Sequence, residues 1–324
     1  MRDRAMILVV YLRRRADPIN RQKRRLHYQA LESYNRMKTL IVIPTYNEYE
    51  NLGPLLEQIA TYAPASDILV VDDNSLDHTG ELADEIASKN PHVHVLHRSG
   101  KLGLGTAYIA GFKYAIEHDY DAAFEMDADF SHDPRYLPDF LAKIEEADLV
   151  IGSRYIQGGG TPNWSFVRRF ISGGGNIFAR CMLGIPVKDC TAGYRCYRRH
   201  VLESIDLDSI ESQGYAFQVE LAYRVYKHGF RIVETPIIFM DRRVGKSKMS
   251  RKIFIEGFTW VIRARLGRLA HKPTPSPPST SSSSISPSPL PEHTAEQPNE
   301  RDERDELNEL EMRAKEEYPF IAQK

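Results

Sequence analysis

Short, continuous apolar runs alternate along the chain with longer stretches in which apolar positions recur at helical spacing. Thr39 to Pro44 reads as a buried strand, and Glu48 to Tyr62 as a helix. A second strand, Asp67 to Val71, follows at once. It enters the acidic turn Asp72-Asp73-Asn74-Ser75, after which a helix through Leu82 and Ile86 leads to a third strand at Val93 to Leu96. A helix over Thr106 to Glu117 and strands at Ala122 to Met126 and Asp148 to Ile151 complete this half. Strands that alternate with helices imply a parallel sheet, whose ligands gather beyond the carboxyl ends of the strands. Three polar turns fall on that rim: Pro44-Thr45-Tyr46-Asn47-Glu48, the Asp72-Asp73 turn, and Asp127-Ala128-Asp129.

The stretch from Arg154 to Arg199 is rich in Gly and Arg, and Gly214 to Gly229 reads as a helix followed by a strand at Phe230 to Glu234. From Arg251 to Leu269 a further amphipathic helix is expected. Phe254, Ile255, Phe258, Val261, Ile262, Leu266 and Leu269 fall on one side of it and Lys252, Glu256 and Arg263 on the other. Trp260 and Arg265 break the pattern; both suit a helix lying in a bilayer interface, and packing of the apolar side onto the protein's own core is the alternative. The expected organisation is a basic extension over 1–36, a catalytic domain over 37–271, a Pro/Ser-rich disordered linker over 272–298 and a charged tail over 299–324. Met37 is an alternative start.

Composition narrows the partners. Forty-three Lys and Arg against 44 Asp and Glu leave a net charge near zero, so no nucleic-acid partner is implied. Three cysteines with no CxxC pair argue against a disulfide framework or a zinc site and favour a reducing compartment. The longest apolar runs, Met6 to Leu12 and Thr39 to Pro44, fall far short of the ~20 residues of a spanning helix. A protein at the cytoplasmic side is therefore expected.

Candidate chemistry sits in the turns. Asp127 and Asp129, at i and i+2 after a strand, can face one hard divalent cation; a helix-capping or solvated acidic turn is the alternative. Asp72 and Asp73 could accept hydrogen bonds from a base or ribose, although alone that turn reads as a helix cap. Gly103, Gly105 and Gly111 depart from the GxGxxG spacing and read as turn and packing glycines. Arg154, Arg168, Arg169, Arg195, Arg242, Arg243, Lys246 and Lys248 supply cationic groups for an anionic target, with Arg242 to Lys248 as a loop able to fold over phosphates.

Taken in order, KTLIVIPTYNEYENL, ILVVDDNSLDHTG, HRSGKLGLGTAYIAGF, MDADFSHDP, IGSRYIQGG and FMDRRVGKSKMS resemble the dolichol-phosphate and polyprenol-phosphate mannosyltransferases of glycosyltransferase family 2, from about Lys38 to about Leu269. The resemblance implies an α/β, A-type glycosyltransferase fold with a Rossmann-like, mostly parallel sheet and helices on both faces. It implies that Pro44, Tyr46, Glu48, Val71 and Asp73 line a guanosine pocket, and that Asp127, Ala128 and Asp129 hold Mg²⁺ or Mn²⁺ and the diphosphate. Arg242 and Lys248 would close on the phosphates, and Arg154, Arg168 and Ser172 would face the acceptor phosphate and the sugar. Ser131 stands where some relatives carry Gln as an additional metal-site group. Some relatives carry fused transmembrane segments. Here, access to the membrane surface is expected through a surface helix or a membrane-anchoring partner protein.

The implied reaction is transfer of mannose from GDP-mannose to a polyprenyl phosphate. A phosphate monoester is already largely ionised near neutral pH, its second pKa being about 6, so no general base is needed. Abundant Arg without an obvious catalytic His suits that demand. The alternatives are a UDP-glucose-dependent transferase on the same lipid phosphate, a non-catalytic lipid-phosphate binding protein, and a dinucleotide-dependent oxidoreductase. The last would have no use for the Asp127-Ala128-Asp129 turn.

Overall fold

The computed structural model describes residues 37–210, 212–240 and 251–267, with side chains of the last segment from 257 onward. The basic extension, the loop carrying Arg242 and Lys248, and the linker and tail lie outside the described residues.

Seven strands form one sheet: β1 (Thr39–Thr45), β2 (Asp67–Asp72), β3 (Val93–His97), β4 (Ala122–Glu125), β5 (Leu149–Ser153), β6 (Arg195–Arg198) and β7 (Ile232–Pro236). Their spatial order is β3-β2-β1-β4-β6-β5-β7. Pairing is parallel except at β6, which runs antiparallel to both β4 and β5. The sheet is thus mostly parallel, as expected, with one antiparallel strand that the sequence did not mark: β6 lies within the Gly- and Arg-rich stretch and has only four residues.

Helices α1 (Tyr49–Tyr62), α2 (Thr79–Lys89) and α4 (Leu137–Ile144) cover one face of the sheet. On the other lie α3 (Leu104–Glu117), α5 (Phe166–Leu183), α6 (Arg199–Ser204), α7 (Gly214–Lys227) and α8 (Arg251–Arg265). The period of two in a strand shows directly in β1: Leu40 and Val42 enter the core beneath α3, while Ile41 and Ile43 enter the core beneath α1. A strand covered on both faces has to be apolar throughout, which is why β1 reads as an unbroken run. Gly111 lets α3 come close to it, because a Cβ there would lie 2.3 Å from Val42 Cγ1.

After β3 the chain returns across the sheet to add β4 on the far side of β1. The strand order therefore reverses between β1 and β4. A crevice opens beyond the carboxyl ends of strands at such a switch point. The loops after β1, β2 and β4 share that end, and they are the three polar turns singled out in the sequence.

The last helix differs in part from the expected one. Val261 and Ala264 are buried, and Trp260 packs edge-on against Tyr223 of α7. Phe258 stacks on Phe178 of α5 at 4.4 Å, yet it and Leu266 remain exposed. The apolar side of α8 is thus divided between the protein's own helices and solvent.

Candidate active site

The first turn begins where β1 ends. Pro44 pairs in register with Val71, so these two predicted nucleotide-pocket residues sit side by side, and Thr45 pairs with Asp72. Asp72 is the turn former: its carboxylate accepts from Thr45 Oγ1 at 2.9 Å, the Ser75 amide at 3.0 Å and Ser75 Oγ at 2.6 Å. Asp73 points elsewhere. It pairs with Arg98 at 2.8 Å and accepts from the Leu102 amide at 3.2 Å, which ties the loop ahead of α3 to the β2 turn. Burial pushes its carboxyl above the usual range, against the pull of Arg98. The ammonium of Lys101 lies 3.9 Å over the Tyr46 ring. Glu48 accepts from Asn51 Nδ2 at 2.8 Å, and its amide donates to Thr79 Oγ1.

The Asp127-Ala128-Asp129 turn follows β4 directly. Tyr108 of α3 donates its hydroxyl to Asp127 Oδ1 at 2.7 Å, and the Ser131 amide donates to Asp129 Oδ1 at 3.0 Å. Burial and the negative charge of Asp127 hold the Tyr108 phenol well above its ordinary pKa, so it stays a donor. Ala128 is buried, as is Ser131. Two hard carboxylates two residues apart fit an oxygen-preferring divalent ion such as Mg²⁺ or Mn²⁺. Among the described residues there is no cluster of three or more His, Cys, Asp or Glu side chains to complete such a site. The donor set therefore suits an ion whose remaining positions go to diphosphate oxygens and water.

A cationic cluster forms beside this turn. Arg154 is 6% exposed, and Asp189 holds its guanidinium by two bonds, Nε at 2.7 Å and Nη2 at 2.6 Å, while Nη2 also donates to Thr191. The negative charge of Asp189 outweighs burial and keeps Arg154 charged. Asp189 is itself set by Glu234 of β7, which accepts from the amides of Lys188 and Asp189. The guanidinium of Arg168 lies 4.0 Å over the Trp164 ring, and that of Arg154 lies 5.3 Å from the same ring. Ser172, one turn beyond Arg168 on α5, accepts from the Tyr155 hydroxyl at 2.8 Å. The structure thus brings Arg154, Arg168 and Ser172 together.

Phe239 links this cluster to the acidic turn. Its ring stands edge-on to Trp164 at 5.6 Å and to His132 at 6.3 Å, and His132 accepts from the Asp127 amide. Tyr108, His132, Trp164, Asp189 and Phe239 were not singled out in the sequence. His132 lies within the quoted MDADFSHDP segment and could have been found there, but a buried histidine gives no sign of its role until its partners are known. Arg242 and Lys248 lie outside the described residues.

Comparison with known proteins shows the family. The model of the family "Glycosyl transferase family 2" matches residues 40–206. The chain is 52% identical over 227 residues to an undecaprenyl-phosphate mannosyltransferase of Micrococcus luteus, covering 70% of this chain and 93% of that protein. It is 48% identical over 237 residues to a polyprenol monophosphomannose synthase of Mycolicibacterium smegmatis, covering 71% and 89%. Among solved structures, glucosyl-3-phosphoglycerate synthase from Mycobacterium tuberculosis with Mn²⁺ and UDP-glucose superposes with a TM-score of 0.54 at 18% identity, covering 74% of this chain and 83% of that one. That last likeness is one of fold. The chain belongs to glycosyl transferase family 2, and its likeness within that family is to the polyprenyl-phosphate mannosyltransferases.

Proposed function

We propose that this glycosyltransferase moves mannose from GDP-mannose to a polyprenyl phosphate, with inversion at the anomeric carbon. The observation that carries the reading is the neighbourhood of two unlike sites: an acidic turn suited to a metal–diphosphate and a cluster built on Arg154 and Arg168, joined through His132 and Phe239. Relatives at 52% and 48% identity named for this chemistry support the choice of sugar and acceptor.

Asp127 and Asp129 would hold Mg²⁺ or Mn²⁺, which supplies charge neutralisation for the departing diphosphate. The turns at Pro44 to Glu48 and Val71 to Asp73 flank the base and ribose. Arg154, fixed by Asp189, and Arg168, laid on Trp164, position the acceptor phosphate against an equally anionic donor. Because that phosphate is its own nucleophile, the side chains orient rather than deprotonate it. Arg242 and Lys248 are assigned to the donor phosphates on the resemblance.

Access to a lipid acceptor follows from α5. Phe166 is 81% exposed and Phe170 72%, and Val167, Ile171 and Ile177 are exposed beside them. These apolar side chains flank Arg168 and Ser172, so the acceptor-binding helix is also the one suited to a bilayer surface. We place the protein peripherally on the cytoplasmic face, with or without an anchoring partner.

Incubation with radiolabelled GDP-mannose, polyprenyl phosphate and Mg²⁺ is expected to move label into an organic-extractable lipid. Asp129→Asn or chelation should lower that transfer by about 100-fold or more. Transfer from UDP-glucose in preference to GDP-mannose would overturn the donor, and undiminished turnover of Asp129→Asn in metal-free buffer would overturn the metal.

A further inference from the structure

Two groups that the mechanism above does not use hold the acidic turn from opposite sides. On the backbone side, the Asp127 amide donates to His132 Nδ1 at 2.9 Å, so Nδ1 is the unprotonated nitrogen and the ring proton sits on Nε2. That ring is buried, lies nearly parallel to Tyr194 with centroids 4.9 Å apart, and meets the Phe239 ring edge-on. On the side-chain side, Tyr108 donates to Asp127 Oδ1, and its wholly buried ring lies near-parallel to Phe112 and Phe217, each 6.4 Å away.

Between the braces the backbone is bent against its preference. Phe130 has φ 64°, a left-handed conformation unfavourable for a bulky side chain. Such a conformation persists only where its surroundings over-determine it. Here the Ser131 amide closes on Asp129 Oδ1 and the His132 ring takes the Asp127 amide, so both ends of the bend are tied.

We infer that Tyr108 and His132 are positioning residues that preset the Asp127–Asp129 turn, so that a divalent cation and its diphosphate meet carboxylates already in place. The inference deepens the functional reading above and rests on it for the role of the two aspartates. Partners that orient metal-binding carboxylates typically contribute about 10- to 100-fold in metal affinity. A group that only filled space would contribute to stability and leave that affinity alone.

Three substitutions separate these roles. Tyr108→Phe removes one oxygen and keeps the ring. His132→Phe keeps a stacked ring but offers the Asp127 amide no acceptor, whereas His132→Asn places an amide oxygen near the position of Nδ1. Mn²⁺ binding to each folded variant with GDP present, followed by electron paramagnetic resonance, is expected to weaken about tenfold or more for the two Phe variants. For His132→Asn it should stay within about threefold of wild type. In metal-free protein, deuterium exchange across residues 127–132 should quicken in His132→Phe and slow again in His132→Asn. Wild-type affinity in both Phe variants, or an Asn variant no better than Phe, overturns the inference and leaves the pair as packing. If wild type takes Mn²⁺ with UDP rather than GDP, the donor proposed above falls, and the same variants compared with UDP still decide the braces.

Discussion

At the scale of single residues, the core beneath the acidic turn holds two ionisable side chains away from water. Glu125, two residues before Asp127, and Arg195 of β6 are both fully buried. Arg195 donates to the carbonyls of Ala192, Cys190 and Gln218 and to the Tyr197 hydroxyl. Glu125 accepts from Gln218 Nε2 at 2.7 Å, and burial raises its carboxyl to about 7 despite the pull of Arg195. One guanidinium therefore fastens the 190–192 loop, β6 and α7 to each other, next to the Asp189 that sets Arg154. Removing it leaves three buried carbonyls without their donor and Glu125 without its cation. Arg195→Met is expected to cost about 3–5 kcal/mol of stability by urea denaturation, the usual loss on breaking a buried ionic group. Arg195→Lys should recover little of it, since one ammonium cannot span four acceptors set around a planar fork. A loss below about 1 kcal/mol in Arg195→Met would show that the core absorbs the change.

At the scale of elements, what was legible depended on where apolar side chains point. Strands β1, β2 and β3 and helices α1 and α3 were read within a few residues of their ends, because their apolar positions face a core. Strand β7 begins two residues later than read, since Phe230 and Arg231 precede it. Helix α5 went unread for a physical reason. Phe166, Phe170 and Ile177 face solvent rather than a core, and Gly173-Gly174-Gly175 in its middle have low helix propensity. Its ends carry ordinary signals nonetheless: Ser165 Oγ accepts from the Arg168 amide, and Gly184 closes it at φ 68°. The two acidic turns and the arginines were legible as chemistry. The residues that orient them were not: Tyr108 and Asp189 meet Asp127 and Arg154 only through the fold, while Trp164 and His132 lie close to Arg168 and Asp127 in sequence but show no role until their rings are placed. A Cβ at Gly173, Gly174 or Gly175 meets nothing within 4 Å. Replacing all three by Ala should therefore stabilise the protein, by about 0.5–1 kcal/mol per site in a helix interior. A thermal melt checks this, and a fall in melting temperature would mean that the packing of α5 needs its glycines rather than tolerating them.

At the scale of the whole molecule, a lipid substrate has to reach a crevice at the carboxyl end of a sheet. Among the described residues no helix is long and apolar enough to cross a membrane. Two helices offer an alternative, and they are joined: Phe178 of α5 stacks on Phe258 of α8. The α8 face alone is a weak docking surface, since Val261 and Ala264 turn inward and Trp260 packs on Tyr223. The first two turns of α5 present four exposed apolar side chains, Phe166, Val167, Phe170 and Ile171, around Arg168 and Arg169, a combination suited to anionic headgroups and acyl chains together. If α5 is the principal contact, a Phe166→Glu, Phe170→Glu double variant should lose vesicle flotation about tenfold or more, each side chain forfeiting roughly 1.5–3 kcal/mol of burial. A Phe258→Glu, Ile262→Glu variant should lose less. Transfer to a short-chain, water-soluble polyprenyl phosphate should survive in both, because neither pair includes Arg168 or Ser172. Equal flotation of the α5 variant and wild type, with transfer to vesicle-embedded acceptor intact, would move the membrane contact to another part of the chain.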